Sequence, residues 1–410
     1  MKLTDCQTEA LKDIKTGLLK DKLPMMKLTG FAGTGKTTLL AKIADQLKGP
    51  VYACAPTHKA AQVLGQKLKR PAVTIHSLLG LKLERDGKGG YELVQDKDKL
   101  GDLPDEGVIL LDESSMAGAL LWEHITKTVG WLDNRIQWLF VGDPAQLPPV
   151  GEAPSPALEQ PGPMLTEVVR QARDNPILDM ATKVREGEPY LMSRFQNGKG
   201  VGVTRNAQGF LDSAIEAFKR GDDARVLCYR NRTVHAYNDA IRTAVHGDEA
   251  PRFVPGDKLM ARTTYFTPKM KIPLLNNSEE VVVVDAYEDR LHRAGGRRIA
   301  AWLLDIITAD GREVEVPVLH EDAVQDYRER LKEYREEAKT KGTWSRYYKL
   351  AEAFADVEPC YAMTVHKSQG STFHTTYVDH RDLMACRSNE RQALTYVAVT
   401  RPSHRLALLV

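Results

Sequence analysis

Over residues 1–165, short apolar runs alternate with stretches whose apolar positions repeat at helical spacing. The runs are Met25–Thr29, Val51–Ala55, Val108–Leu111 and Ile136–Val141. Strands covered on both faces read as continuous apolar runs, and helices between them supply the crossovers, so this order predicts βαβ units and a parallel sheet. At 81–101 the period drops to two. Leu81, Leu83 and Arg85 alternate before Asp86-Gly-Lys-Gly-Gly90, and Tyr91, Leu93 and Gln95 alternate after it. That pattern predicts a β-hairpin with a glycine-rich tip.

A second α/β region begins near Thr166, includes the run Val226–Tyr229, and resumes over Ala362–Val410, ending on the apolar strand Leu406–Val410. Between its halves, the β-branched runs Glu279–Tyr287, Arg298–Thr308 and Arg312–Leu319 are separated by Asn and Gly turns, which predicts a small antiparallel barrel or sheet. Residues 321–341 carry 13 charged side chains in 21, with mixed signs, as a solvated helix with i,i+4 pairs would. The expected organisation is a first α/β domain at 1–80 and 102–165, with a hairpin at 81–101. A second α/β domain takes 166–251 and 357–410, and an inserted β-rich domain with a charged helical projection takes 252–356.

The 410 residues are 42% hydrophobic and 27% charged, which suits a globular chain with ample core. No apolar run approaches the ~18 residues of a membrane helix, and Met1–Gln7 offers no signal-like stretch. A membrane protein, a secreted precursor and a fibrous rod are thereby excluded. Cys6, Cys54, Cys228, Cys360 and Cys386 show no disulfide or zinc spacing, so they read as reduced thiols, small buried hydrophobes of a cytoplasmic protein. The net charge of +2 means that any nucleic-acid contact must be local.

Gly30-Phe-Ala-Gly-Thr-Gly-Lys36-Thr37 fits the P-loop pattern, with a strand before it and the helical run Thr38–Leu47 after it. Its glycines let backbone N–H groups approach phosphates at a helix N-terminus. Lys36 would neutralise the β/γ-phosphates and the Thr37 hydroxyl would ligate Mg²⁺. Val108–Leu111 opens onto Asp112 and Glu113, as a Walker B strand does. Asp112 would hold Mg²⁺ through water, and Glu113 would orient or deprotonate an attacking water, the signature of an ATP hydrolase. Ile136–Val141 runs into a Pro-rich loop whose Gln146 can touch a γ-phosphate.

These blocks, taken in order, resemble the superfamily 1 DNA helicases. They are Gln7, residues 30–37, Ala-Pro-Thr-His-Lys-Ala-Ala (55–61), Thr-Ile-His-Ser (74–77), Asp-Glu-Ser-Ser-Met (112–116) and Gly-Asp-Pro-Ala-Gln-Leu-Pro-Pro-Val (142–150). Leu-Thr-Glu-Val-Val-Arg (165–170), Thr-Val-His-Lys-Ser-Gln-Gly (364–370) and Tyr-Val-Ala-Val-Thr-Arg (396–401) complete the set. Their spelling is most similar to superfamily 1B, the RecD/Dda branch, and the resemblance spans Gln7 to Arg401. It implies two RecA-like P-loop domains with ATP and Mg²⁺ between them, an inserted hairpin that acts as a duplex-splitting pin, and an inserted small β-barrel domain. The nucleotide would meet Gln7 (at the adenine), Gly30, Ala32, Gly33, Thr34, Gly35, Lys36, Thr37, Thr38 and Gly370, with Arg170 and Arg401 reaching the γ-phosphate. Single-stranded DNA would meet Pro56, Thr57, His58, Lys59, Thr74, His76, Ser77, Thr364, His366, Lys367 and Ser368, then Tyr229 and Asn231, with Tyr91 the stacking residue at the pin.

As lone side chains the three histidines would read as satisfied loop residues and both arginines as solvated charges. Where UvrD-like relatives carry a ribose-binding glutamate, this chain has Ser371-Thr372, which weakens the expectation of strict ribose selectivity. The implied activity is an ATP-dependent DNA helicase moving 5′→3′ on single strands, a cytoplasmic monomer in a bacterial cell or phage-infected host. Its settings would be replication, recombination or repair, and its partners single-strand/double-strand junctions and single-strand-binding or replication proteins. Two alternatives use the same P-loop: a motor subunit of a recombination or nuclease complex, and a remodelling ATPase that needs no nucleic acid.

Overall fold

The computed structural model describes residues 3–47, 49–95, 104–131, 135–149, 151–169, 175–267 and 273–410. Helix Asp5–Lys15 starts on a capping box, in which Thr4 Oγ1 accepts the Gln7 N–H at 3.2 Å and Gln7 Oε1 accepts the Thr4 N–H at 3.1 Å. Strands β1 (Met25–Gly30), β2 (Val51–Ala55), β3 (Ala72–Thr74), β4 (Leu81–Arg85), β5 (Tyr91–Gln95), β6 (Gly107–Leu111), β7 (Ile136–Gly142) and β8 (Met164–Leu165) follow. All but β4 and β5 form one sheet in the order β3-β2-β6-β7-β1-β8, with every pairing parallel. Leu28, Val108, Leu110, Leu139 and Val141 bury one face of it against Leu39, Leu40 and Ile43 of helix Lys36–Gln46.

In a parallel sheet the carboxyl ends of the strands share one edge, where ligands of such folds bind. Here the segments leaving β1, β2, β3, β6 and β7 are Gly30–Thr37, Pro56–Lys59, Thr74–Ser77, Asp112–Glu113 and Asp143–Gln146. The period-two segment forms its own two-stranded sheet, β4 with β5, and residues 96–101 of the expected hairpin lie outside the described residues.

The chain continues through β9 (Arg194–Gln196), β10 (Lys199–Thr204) and β11 (Ala224–Cys228). It then enters the insertion, with β12 (Lys258–Ala261), β13 (Tyr265–Phe266), β14 (Pro273–Leu275), β15 (Glu280–Ala294), β16 (Arg297–Thr308), β17 (Glu313–Leu319) and β18 (Val357–Pro359). It returns as β19 (Ala362–Thr364), β20 (Phe373–Asp379) and β21 (Pro402–Leu409). The second six-stranded sheet runs β19-β11-β20-β21-β10-β9, parallel through its centre, with β9 antiparallel at the edge. The insertion's antiparallel sheet runs β17-β16-β15-β12-β18, an open order among the described residues, over a core that includes Trp302, Leu304, Ile306, Val281, Val283 and Val316.

Two compact units result. One comprises 1–82, 95–234 and 363–410 and holds both six-stranded sheets; the other joins hairpin residues 83–94 to 235–362. In the second unit, helix Val324–Lys341 carries the i,i+4 pairs Asp326–Arg330 and Glu337–Lys341 at 2.7 and 2.8 Å. The hairpin meets helix Ser345–Ala351. Gly89 lies so close to Trp344 that a Cβ there would stand 2.6 Å from its ring, Tyr348 Oη donates to Gly90 O at 3.0 Å, and Tyr347 Oη to Gly89 O at 3.4 Å. Among the described residues no helix is long and apolar enough to cross a membrane. Cys54, Cys228, Cys360 and Cys386 are buried and Cys6 is partly exposed, all as free thiols.

Candidate nucleotide site and nucleic-acid edge

Gly33 and Gly35 both take φ +78°, a backbone state that side chains disfavour, and a Cβ on Gly35 would stand 2.5 Å from Gln7 Nε2. The loop therefore curls tightly, with the Thr34 N–H turned back on Phe31 O at 3.3 Å. Thr34 is fully buried, and its hydroxyl donates to Phe31 O at 2.8 Å. Gln7 is 4% exposed and donates to Thr34 O at 2.9 Å. With its carbonyl oxygen engaged by Thr4 and its amide by Thr34 O, Gln7 ties the first helix to the P-loop from inside. Gly30 carries no side chain because Thr34 Oγ1 and the Leu165 backbone crowd it.

Lys36 Nζ donates to Gly30 O at 2.6 Å and Phe31 O at 3.1 Å, and stands 3.7 Å from Asp143 Oδ2. Thr37 is half-buried and Thr38 exposed on the next turn, beside an open cleft of about 510 Å³ lined by Phe31, Gly33, Gly35, Lys36, Thr37 and Lys67. The Ala32 N–H donates to Tyr396 Oη at 2.8 Å.

At the end of β6, burial and then the neighbouring Glu113 charge raise the Asp112 carboxyl from 3.8 to about 6, against a backbone bond and Lys36 that lower it. The residue as a whole keeps part of its surface; it is the carboxylate that lies deep. Glu113 sits at φ +52°, left-handed for a non-glycine residue, with its N–H donating to Asp112 Oδ1 at 2.9 Å. Strain of this kind is tolerated where a side chain must be aimed. Gln146 Oε1 is buried with no hydrogen-bond partner among the described residues. Arg401 is 6% exposed, held by Ser371 O at 3.1 Å and Val397 O at 3.0 Å. Burial lowers its pKa, while the charges of Glu113 and Asp143 oppose that shift. Gly370 takes φ +73° against Ala60. Arg170 lies outside the described residues.

The three Thr-His stretches share one local design. Thr57, Thr74 and Thr364 each stand at or just past a strand's carboxyl end, and each hydroxyl accepts an N–H three residues on: Ala60 at 3.2 Å, Ser77 at 3.1 Å and Lys367 at 3.3 Å. A threonine cap starts a helical turn there. It places His58, His76 and Ser77 at the surface, with Pro56 and Lys59 partly exposed. Lys59 Nζ stands 5.0 Å over the Phe373 ring. Crowding, then the nearby His58 and His124 imidazoles, hold His76 below the usual histidine range although it reaches solvent; burial does the same for His366. Both are therefore neutral at physiological pH.

Tyr229 stands 6.1 Å from the His366 ring, and Asn231 opens the next helix, exposed. Lys367 is exposed but Ser368 is fully buried, donating to Val365 O at 2.7 Å, so its hydroxyl shapes the turn instead of facing a strand. Tyr91 is half-exposed, and its hydroxyl donates to Glu352 Oε1 at 3.0 Å with its ring edge-on to Tyr348 at 5.8 Å.

Sequence reasoning overlooked Asp143, Tyr396 and Asp382. Asp143 follows a wholly buried strand as Asp112 does, a signal that was available. Asp382 accepts the Tyr229 N–H at 2.7 Å, the Arg230 N–H at 2.9 Å and the Thr233 hydroxyl at 2.7 Å, and so fixes where Tyr229 stands. Nothing local marks it in the sequence.

Two family descriptions match: an AAA domain over residues 2–205 and a UvrD-like helicase C-terminal domain over 359–409. The ATP-dependent DNA helicase dda of Enterobacteria phage T4 is 26% identical, covering 97% of this chain and 97% of that protein. The ATP-dependent RecD2 DNA helicase of Deinococcus radiodurans is 38% identical over 170 residues, 40% of this chain and 22% of its own length. In fold, the chain is similar to the Pif1 helicase from Bacteroides in complex with ADP-AlF3 and ssDNA, with TM-score 0.56 and 15% identity, covering 99% of this chain and 92% of that one. The P-loop, the acidic strand end and both parallel sheets accord with this similarity to ATP-dependent DNA helicases of superfamily 1B.

Proposed function

We infer that this chain is an ATP-dependent DNA helicase, a DNA-stimulated ATPase that advances 5′→3′ along single-stranded DNA and opens duplex ahead of it. The observation that carries the reading is the shared edge of the first sheet, where the P-loop, Asp112–Glu113 and two Thr-capped histidine turns all leave strand ends. Phosphate and sugar contacts from such turns hold a strand without reading its sequence, as a translocating motor requires.

The residues present fit a magnesium nucleotide. The Thr37 hydroxyl and Asp112 carboxylate are hard oxygen donors, the left-handed glycines keep the loop clear, and Gln146 Oε1 is buried without a partner among the described residues. Thr37 would hold the ion directly and Asp112 through water, and the bound ion would neutralise phosphate charge. Glu113 would take the proton of the attacking water, Lys36 would hold the β/γ-phosphates, and Arg401 would stabilise charge on the leaving side. Arg170, by its motif position, would join Arg401. The chain would act as a monomer at single-strand/double-strand junctions, alongside single-strand-binding or replication proteins.

Unwinding of duplexes with only a 5′ tail or only a 3′ tail, with ATPase measured with and without oligo-dT, tests this. The expected result is opening of the 5′-tailed duplex alone and a rate raised by oligo-dT. ATPase indifferent to single strands would overturn the reading in favour of a remodelling ATPase.

A further inference from the structure

Tyr396 stands on helix Arg391–Val399, which leads into Arg401. It is 1% exposed, and its hydroxyl makes two bonds, both to segments leaving the first sheet. It accepts the Ala32 N–H at 2.8 Å and donates to Asp143 Oδ2 at 2.8 Å. Asp143 is equally buried, accepts the Ala145 N–H at 3.0 Å, and lies 3.7 Å from Lys36 Nζ. A hydroxyl oxygen thus occupies an N–H at the start of the P-loop, and a carboxylate oxygen stands at the P-loop lysine. These are donors of the kind that a terminal phosphate recruits.

We propose that Tyr396 and Asp143 form a latch that competes with the terminal phosphate of a nucleoside triphosphate, so that Tyr396 sets how strongly the DNA-free protein prefers triphosphate over diphosphate. The proposal rests on the ATPase reading. When a phosphate oxygen takes the Ala32 N–H, the Tyr396 oxygen loses that donor while its own proton stays on Asp143. The hydroxyl must then withdraw from the loop, and the helix that carries it leads to Arg401. Triphosphate entry and the placement of Arg401 become one event. A diphosphate, cradled by the later N–H groups of the loop, leaves the latch closed.

Tyr396→Phe removes the competing oxygen and keeps the ring. Without DNA, its Kd for a non-hydrolysable ATP analogue should fall about three- to tenfold, the worth of one ordinary hydrogen bond, while ADP affinity stays within about twofold. Unchanged or weaker analogue binding by folded Y396F, with ADP unaffected, overturns the latch. If wild-type protein binds neither nucleotide, the ATPase reading fails instead. A measurement on the wild-type protein stands independent of the variant's folding: in the nucleotide-free protein the Ala32 amide should exchange at least ~10-fold more slowly than an unprotected amide. Unprotected exchange at Ala32 also overturns the latch.

Discussion

Glu352 takes hydrogen bonds from both strands of the hairpin, beside the Tyr347 and Tyr348 hydroxyls that bond its tip. It receives Arg85 through two bonds, one of them Nε to Oε1 at 2.8 Å, and the Tyr91 hydroxyl at 3.0 Å. Arg85 also lies 4.6 Å over the Tyr348 ring. The Arg85 and Glu352 side chains are 34% and 37% exposed, so solvent screens the pair and it contributes no more than ~0.5–1 kcal/mol despite its bidentate form. The Tyr91 bond adds about 1 kcal/mol and a loosened cation–π contact ~0.5 kcal/mol. Glu352→Ala should therefore cost ~1.5–2.5 kcal/mol locally, raising the undocked hairpin population about 10- to 70-fold while global melting moves little. Hydrogen exchange over 83–94 should quicken by that factor. On the reading of the hairpin as a duplex-splitting pin, DNA-stimulated ATPase should hold and base pairs opened per ATP should fall, because a pin that yields does not block reclosure. Arg85→Ala should add little on top of Glu352→Ala, since both remove the same contact. Unchanged exchange at 83–94, or unwinding per ATP at the wild-type level with exchange accelerated, would refute the reasoning at its structural and functional steps respectively.

Replacing Arg85–Tyr91 by a two-residue Asn-Gly turn should spare single-strand translocation and sharply reduce unwinding, measured by strand displacement per ATP consumed. Asp112→Asn should stabilise the nucleotide-free protein by ~1–3 kcal/mol at neutral pH. The folded carboxyl titrates higher than the unfolded one, so Asp112's own contribution to stability is lost as pH rises from about 4 to about 6, and the variant should lack that component of the wild-type pH dependence. Arg401→Ala should lower kcat by ~10³-fold or more with a smaller change in ATP affinity; equal losses would place the arginine in ground-state binding. Asp382→Asn should weaken single-strand affinity without altering nucleotide affinity, because the Tyr229 and Arg230 N–H groups lose a charged acceptor.

Continuous apolar runs were legible as strands because both faces of the first sheet are covered: β2 begins and ends where its run does, and β7 is buried at every position. The hairpin was legible because alternation needs no tertiary context, and β4 and β5 occupy the residues it selects. Strand β15 was underread. It runs to Ala294, past the expected Tyr287, through register shifts at Val283/Asp285 and Tyr287/Arg290 that break the alternation. The P-loop and Asp112–Glu113 were legible because their chemistry is local to one turn. The inward turn of the Ser368 hydroxyl, and the partners that Gln7 and Tyr91 find in Thr34 and Glu352, were not legible, since what a polar side chain bonds depends on residues far away in the chain. Tyr396 and Asp382 act across chain separations that no local pattern encodes, whereas Asp143 carried the same strand-end signal as Asp112.

The strand order gives the coupling between hydrolysis and grip a short path. β6, which ends on Asp112 and Glu113, is hydrogen-bonded to β2, which ends at Pro56–Lys59, and the Asp112 N–H itself donates to Cys54 O at 3.0 Å. Neighbouring strands stand ~4.8 Å apart, so the acidic pair and the first Thr-capped turn are separated by one strand width. β3, which ends on Thr74, lies one strand further out. On the helicase reading, a change of charge at Asp112 and Glu113 needs to cross only two backbone ladders to reach both turns. Each turn is capped by a threonine hydroxyl, a bond whose rearrangement costs about 1 kcal/mol. The second sheet supplies its own Thr364 turn on β19 beside β11, and the loop that follows is tied back to the first sheet's side by Gln369 Nε2 donating to Leu147 O at 3.3 Å. Leu147 follows Gln146, whose side-chain Oε1 is buried without a partner among the described residues. A phosphate engaging Gln146 would therefore pull on a bond shared with the second grip, and the two grips would answer the same nucleotide from opposite sides.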